Sequence, residues 1–376
     1  MLTWSLTYKI MGHTISRMPG YPGLERERRV SFPVLFEFVT EIFGQCGMRH
    51  EDAALVAETL VMADLRGVHS HGVLRVPDYI GKLLTGGVNP RGTPRVLSDR
   101  SAAIVVDGGN SMGQIGAMFA MRHIIERALT LNVAVAAVRG SNHCGAMFNY
   151  ALKAAEVGMI GIATTNALPT MAPWGGIDKI VGINPLAIAI PAGKEHPIVL
   201  DAAFSYSSHG KIRVYLQKGE PIPLAWALDR DSQPTTDAAK ALEGLLQPVG
   251  EYKGVALAMV MGILSSMLSG ASYGTELGTM ESGPAPGCDG HFLAAIRISG
   301  FEDPVRFGER VDCAIRQLTN SRPAAGIERL YAPGGLEAET EVDHRKFGIP
   351  LNDATIGGLL AAARRCGLDR HGLELF

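Results

Sequence analysis

Cysteine is scarce in this chain. Its 376 residues hold Cys46, Cys144, Cys288, Cys313 and Cys366, an odd number with no C-x-x-C pair. Such spacing argues against a disulfide framework and the usual zinc ligand sets, and for a reducing, cytoplasmic compartment. Charge is equally thin: Lys and Arg total 35 against 37 Asp and Glu, a net charge of -2. No basic stripe is available for nucleic acid, and there is no acidic tail. A membrane-length apolar run is missing too. The most apolar stretch, Val255 to Leu268, spans about fourteen residues broken by Gly262 and serines, short of the roughly twenty a span needs. It reads as a buried helix. Nor is a secretory signal expected, since Met1 to Arg29 carries Pro19, Gly20, Pro22 and the charged run Glu25 to Arg29 without a continuous apolar core. Residues 1–30 therefore read as a disordered N-terminal extension. With 47% apolar residues the remainder can bury a large core.

The usual dinucleotide and phosphate fingerprints are also lacking. Gly108 to Gly116 invites comparison with a phosphate loop, but G-x-G-x-x-G does not occur, and Gln114 and Ile115 stand where a P-loop needs lysine and hydroxyl. It reads as a plain turn.

What is present is a change of period. From Ser31, helical spacing places Val34, Leu35, Phe38, Val39 and Ile42 on one face, and a second helix over 51–65 turns Ala54, Ala57, Leu60, Val61 and Leu65 inward. A third spans 76–84. Strands follow at 103–107, 133–138 and 159–164, alternating with helices at 116–129 and 146–157, and then at 186–190, 198–200 and 292–298. Helices are expected again at 235–246, 303–320 and 352–365. Strands in direct succession predict an α/β fold with a mixed sheet. The division expected is a helical domain at 31–100, completed by 303–376, and an α/β nucleotide-binding domain at 101–302.

The chemistry gathers in Leu65 to Arg75, where His69, Ser70 and His71 precede Gly72 and Arg75. If a helix starts after Gly72, His71 and Arg75 lie four apart on one face, a proton-transfer group beside a carboxylate clamp. His143 follows a strand among small residues. Lys253, flanked by Gly250 and Gly254 at a helix start, adds its charge to unpaired N–H groups and suits phosphate. The turn Ala332 to Glu337 can bring backbone N–H groups against a ligand.

Read together, Arg66-Gly67-Val68-His69-Ser70-His71-Gly72, Ser141-Asn142-His143-Cys144-Gly145, Thr165-Asn166-Ala167 through Trp174-Gly175-Gly176, Gly182-Ile183-Asn184-Pro185-Leu186, Val199-Leu200-Asp201-Ala202-Ala203 and Gly250-Glu251-Tyr252-Lys253-Gly254 resemble the second type of malate/L-lactate dehydrogenase family. That family includes ureidoglycolate, L-sulfolactate and 2,3-diketo-L-gulonate oxidoreductases and cyclic ketimine reductases. The resemblance implies a non-Rossmann, L-sulfolactate dehydrogenase-like fold, an NAD or NADP cofactor, a small carboxylate substrate and a homodimer with sites near the interface. By motif it gives His71 and His143 proton-transfer duty, Arg75 and His143 the substrate, and Asp201 a catalytic or cofactor role. Asn166, Ala167, Ala202, Ala203, Tyr252, Lys253, Gly334, Gly335 and Leu336 fall among the cofactor contacts. Ala167 departs from the family pattern, where serine is common, and Phe204-Ser205 replaces Thr-Ser. Two other readings stand beside this one: a metal-dependent hydrolase using His69, His71, His143 and Asp201, and a binding homologue that has lost activity.

Overall fold

The alternating apolar runs form one seven-stranded sheet in the computed structural model, which describes residues 21–280 and 283–368. Its strands are β1 (Arg95–Arg100), β2 (Ala103–Asp107), β3 (Val133–Ser141), β4 (Met159–Thr165), β5 (Leu186–Ile190), β6 (Ile198–Ala202) and β7 (Asp289–Arg297). Their spatial order is β1-β2-β3-β7-β4-β5-β6. Only β2 and β3 run parallel, and every other neighbouring pair is antiparallel. The sheet is therefore mixed, as the succession of strands predicts.

The longer helices are α1 (Phe32–Gln45), α2 (His50–Leu65), α3 (Val76–Leu84), α4 (Gly113–Leu131), α5 (Phe148–Ala155), α6 (His209–Lys218), α7 (Tyr252–Ser266), α8 (Pro304–Thr319), α9 (Gly335–Phe347) and α10 (Asp353–Arg365). Helices α1, α2, α3 and α10 close one core around Leu35, Ile42, Leu60, Tyr79, Ile80 and Leu359. Helices α4 and α5 close a second against the sheet, around Met121, Ile124, Tyr150 and Leu293. Each such side chain contributes about 1.5–3 kcal/mol by leaving water. A third, smaller core joins Met171, Ile212, Tyr215, Trp226 and Leu246.

Several expectations need correction. Residues 1–20 lie outside the described residues, but 21–30 do not form a loose extension: Arg28–Val30 pairs antiparallel with Ile349–Leu351. A strand whose partner lies at the far end of the chain leaves no local signal. Residues 95–100, expected in the helical part, are the sheet edge β1. Helix α8 does not complete the helical core either. Its Asp312 accepts the backbone N–H groups of Gly193, Lys194 and Glu195 in the β5–β6 turn, at 2.9, 2.8 and 3.2 Å. Helices α6 and α9 were not expected, and the helix at 235–246 shrinks to Ala238–Glu243. Helix α7 is not buried, since Leu257, Met259 and Val260 are each about half exposed. Among the described residues no helix is long and apolar enough to cross a membrane.

The stretch after α2 is built around one carboxylate. Here the chain takes two 3-10 turns, His69–His71 and Val73–Arg75, instead of the expected helix. His69 Nδ1 donates to Asp64 Oδ1 at 2.7 Å, and the Val73 N–H donates to Asp64 Oδ2 at 2.6 Å. Asp64, only 1% exposed, thus ties both turns to the end of α2. Gly72 lies between them because a Cβ there would come within 2.1 Å of that carboxylate. Replacing Gly72 with alanine must displace the turn or the carboxylate. Urea unfolding should then show a loss of about 1–3 kcal/mol, and unchanged stability would remove Asp64 as the anchor.

Candidate active site

Two cavities meet at His71. The smaller, about 170 Å³, is lined by Arg75, His143, Ala167, Thr170 and His209 among others. The larger, about 320 Å³, is a cleft walled by Arg66, Asp201, Ala202, Ala203, Ser207 and Gly334. Both share His71, Ile183 and Ser208. A ligand in the cleft and another in the smaller cavity would each border His71.

The imidazoles of His71 and His143 lie nearly parallel, with centroids 5.8 Å apart and planes at 10°. The Gly145 N–H donates to His143 Nδ1 at 3.3 Å, so that nitrogen is an acceptor. The Tyr79 hydroxyl, 2.6 Å away, therefore donates to it as well, while Gln114 Nε2 donates to the Tyr79 oxygen at 3.3 Å. Neutral His143 thus carries its proton on Nε2. Its partner is less constrained. His71 Nδ1 meets the Ser70 hydroxyl at 2.9 Å, which can donate or accept. Burial, followed by the Arg75 charge, pushes His71 down to about 3. Burial, then His71, Arg75 and His291, hold His143 well below the usual imidazole range. Both rings are neutral near pH 7.

Arg75 is 2% exposed and held at two points. Its Nε donates to the Ser70 carbonyl at 2.8 Å, and its Nη1 to Asp78 Oδ2 at 3.2 Å. Arg213 Nη1 donates to the same Asp78 oxygen at 2.9 Å. Gly210, at the start of α6, lets this helix close over the guanidinium, because a Cβ there would lie 2.4 Å from Arg75 Nη2. One carboxylate oxygen thus lies between two guanidiniums.

The expected cofactor residues divide. Asp201, Ala202 and Ala203, at the end of β6, and Gly334 line the cleft. Asp201 opens onto it while protein crowds its other sides. Its Oδ2 accepts the Phe148 N–H at 2.8 Å. Although the residue is exposed on the cleft side, desolvation by the protein packed around it raises its carboxyl to about 7, against the lowering pull of the Phe148 and Met147 N–H groups. The described hydrogen bonds give it no imidazole partner; the carboxylate–imidazole pair here is Asp64 with His69. Ala167 lines the smaller cavity, but its N–H already donates to Asn184 Oδ1 at 2.8 Å. Asn166 is 3% exposed and spends its amide on Ser272 and Gly290. Gly335 and Leu336 begin α9 outside both cavities. Tyr252 and Lys253 begin α7 on an exposed face, also outside both. Nor are the hydrolase ligands gathered: among the described residues no group of three or more His, Cys, Asp or Glu side chains could hold a metal.

Residue reading missed Asp64, Asp78, Tyr79, Arg213, His209 and Asp289. Asp64 left a trace, because an acidic residue three positions beyond Val61 falls on the inward face of α2. The others left none. Tyr79 reads as core, and Arg213 and His209 belong to an unexpected helix. Asp289 lines the smaller cavity from the start of β7, where burial raises it to about 7.

Comparison with known proteins places this geometry. A profile of the malate/L-lactate dehydrogenase family matches residues 30–360. The chain is 36% identical over 355 residues to a malate dehydrogenase of Pyrococcus abyssi, covering 92% of this chain and 97% of that protein. It is 37% identical over 335 residues to an L-sulfolactate dehydrogenase of Methanocaldococcus jannaschii, covering 89% and 96%. The crystal structure of malate dehydrogenase from Entamoeba histolytica superposes with a TM-score of 0.87 at 31% identity, covering 92% of this chain and 99% of that one. The expected fold is the one observed, and the chain belongs to the malate/L-lactate dehydrogenase family, as an oxidoreductase acting on the CH–OH group of hydroxy acids.

Proposed function

We propose that this enzyme transfers hydride between an NAD or NADP nicotinamide and a small 2-hydroxy or 2-oxo acid. The observation that carries the reading is the meeting of His71, Arg75 and His143 in a cavity that shares His71 with the larger cleft. The cleft suits an extended polar ligand. Its walls include the small residues Gly145, Ala146, Ala202, Ala203 and Gly334, and Ser207 Oγ, buried there, has no hydrogen-bond partner among the described residues. Ser207, Asp201, Ala202, Ala203 and Gly334 would hold the dinucleotide. When bound, the nicotinamide supplies the hydride acceptor or donor.

Arg75 grips the substrate carboxylate, which sets the reacting carbon toward the cleft. His143 Nε2–H donates to a substrate oxygen and keeps its proton, because Nδ1 is occupied by two donors and burial raises Tyr79 far above the usual phenol range. His71, whose hydroxyl partner can switch roles, takes the alcohol proton in oxidation and returns it in reduction. A bound carboxylate cancels the Arg75 charge that depresses His71, so substrate binding itself strengthens the base. A cyclic 2-ketimine also presents a carboxylate to Arg75 and is the second substrate class to test.

The enzyme should oxidise NADH or NADPH with one member of a panel of pyruvate, oxaloacetate, sulfopyruvate, oxalurate-type acids, diketogulonate and cyclic 2-ketimines. His71→Ala should lower kcat by about 10²–10⁴-fold while leaving cofactor affinity intact, and His143→Ala should chiefly raise KM. A silent panel, or an unchanged kcat for His71→Ala, removes the reading or the assignment respectively.

We assign Asp201 to the cofactor ribose, where only the carboxylate can accept from two hydroxyls. In the free enzyme the acid form dominates below about pH 7. Cofactor affinity, followed by fluorescence, should be flat above that pH and fall about tenfold per unit below it. Asp201→Asn should flatten the profile.

The enzyme acts as a homodimer. The half-exposed apolar face of α7, with Leu257, Met259, Val260, Met267 and Leu268, is the surface a second copy covers. Sedimentation should give twice the chain mass, and Val260→Asp should give monomers.

A further inference from the structure

Two cysteines from opposite ends of the chain face each other outside both cavities. Cys46 caps the end of α1 and Cys366 the end of α10. Their sulfurs lie 2.8 Å apart across a sequence separation of 320 residues. Both are free thiols, half-buried at the margin of the helical core, and both have exposed chain neighbours in Gln45 and Arg365. A disulfide needs the sulfurs at about 2.05 Å, so closure requires less than ~1 Å of movement. Burial, followed by the Cys366 contact, raises the Cys46 thiol, while Arg365 beside it pulls the other way and favours its thiolate. The other cysteines have no such partner among the described residues. Cys144 is buried beside Met147 and His291, and Cys288 and Cys313 stand apart.

We propose that Cys46 and Cys366 form a reversible disulfide that clamps α1 to α10, in exchange with a small-molecule disulfide. One cysteine thiolate attacks a sulfur of the small disulfide, forming a mixed disulfide and expelling a thiolate. The other cysteine thiolate attacks the protein sulfur of that mixed disulfide and expels the second. Two protein thiols are oxidised, one small disulfide is reduced to two thiols, and the two protein protons pass to the expelled thiolates. The clamp closes a loop of nearly the whole chain, which restricts the unfolded state more than a short bridge does. It also bears on the site. Helix α10 packs on α3 and on the turn that carries Arg75, with Pro77 against Gly358.

The test uses the full chain, incubated with oxidised glutathione or with dithiothreitol and then denatured for thiol counting and peptide mapping. Free thiols should fall from five to three, with Cys46 and Cys366 in one linked peptide, and the oxidised chain should melt about 5 °C or more above the reduced one. Dithiothreitol should reverse both changes. Cys46→Ser and Cys366→Ser should each lose the gain, and should melt with the reduced parent if they fold normally. Five free thiols after oxidation, or a bridge between any other pair, overturns the proposal. So does a bridged chain that melts with the reduced one, and peptide mapping of the parent decides the matter even if the variants misfold.

Discussion

The site depends on one buried carboxylate. Asp64 takes two charge-assisted hydrogen bonds from a segment that has no regular helix or strand to hold it, and those bonds fix where His71 and Arg75 point. Short 3-10 turns are weak in isolation, and these two gain definition because they share an anchor on α2. The missing side chain at Gly72 is part of the same device, since no Cβ fits against that carboxylate.

From this anchor the electrostatics follow outward. Arg75 is held by the Ser70 carbonyl and by Asp78, and its charge, together with burial, keeps both imidazoles neutral. The two rings differ in how their outer nitrogens are satisfied. Two donors fix the proton of His143 on Nε2, whereas the Ser70 hydroxyl leaves His71 free to change tautomer. A pair of like residues, stacked and equally sheltered, is thereby made chemically unequal. On the cleft side the carboxyl of Asp201 is raised instead, as that of Asp289 is beside the smaller cavity.

The long-range parts of the fold explain why prediction from local pattern went only so far. Strand β7 enters between β3 and β4 from far along the chain, and Arg28–Val30 finds its partner at Ile349–Leu351. Neither neighbour is encoded in the strand itself. Helix α8 shows the same limit from another direction, because its amphipathic pattern gives a helix but not the surface it meets, which Asp312 fixes in the β5–β6 turn. The apolar character of α7 was legible, but not its outward face, because uniform apolarity has no direction.

The sequence by itself determined the class of fold, the main helices and strands, and the ordered motifs that mark the family. It also named His71, Arg75 and His143, because imidazole and guanidinium in a glycine-bounded stretch carry their chemistry openly. Tertiary structure alone decided that these three share a cavity, that Asp64, Tyr79 and Asp78 support them, and on which nitrogen neutral His143 carries its proton. It also kept Tyr252 and Lys253 out of both cavities of their own chain, while Asp201 and Ala203 line the cleft. The physical reason is distance along the chain. Propensity and periodicity act over a few residues, whereas the hydrogen bonds, burial and charge that give each site residue its role come from segments up to hundreds of residues apart.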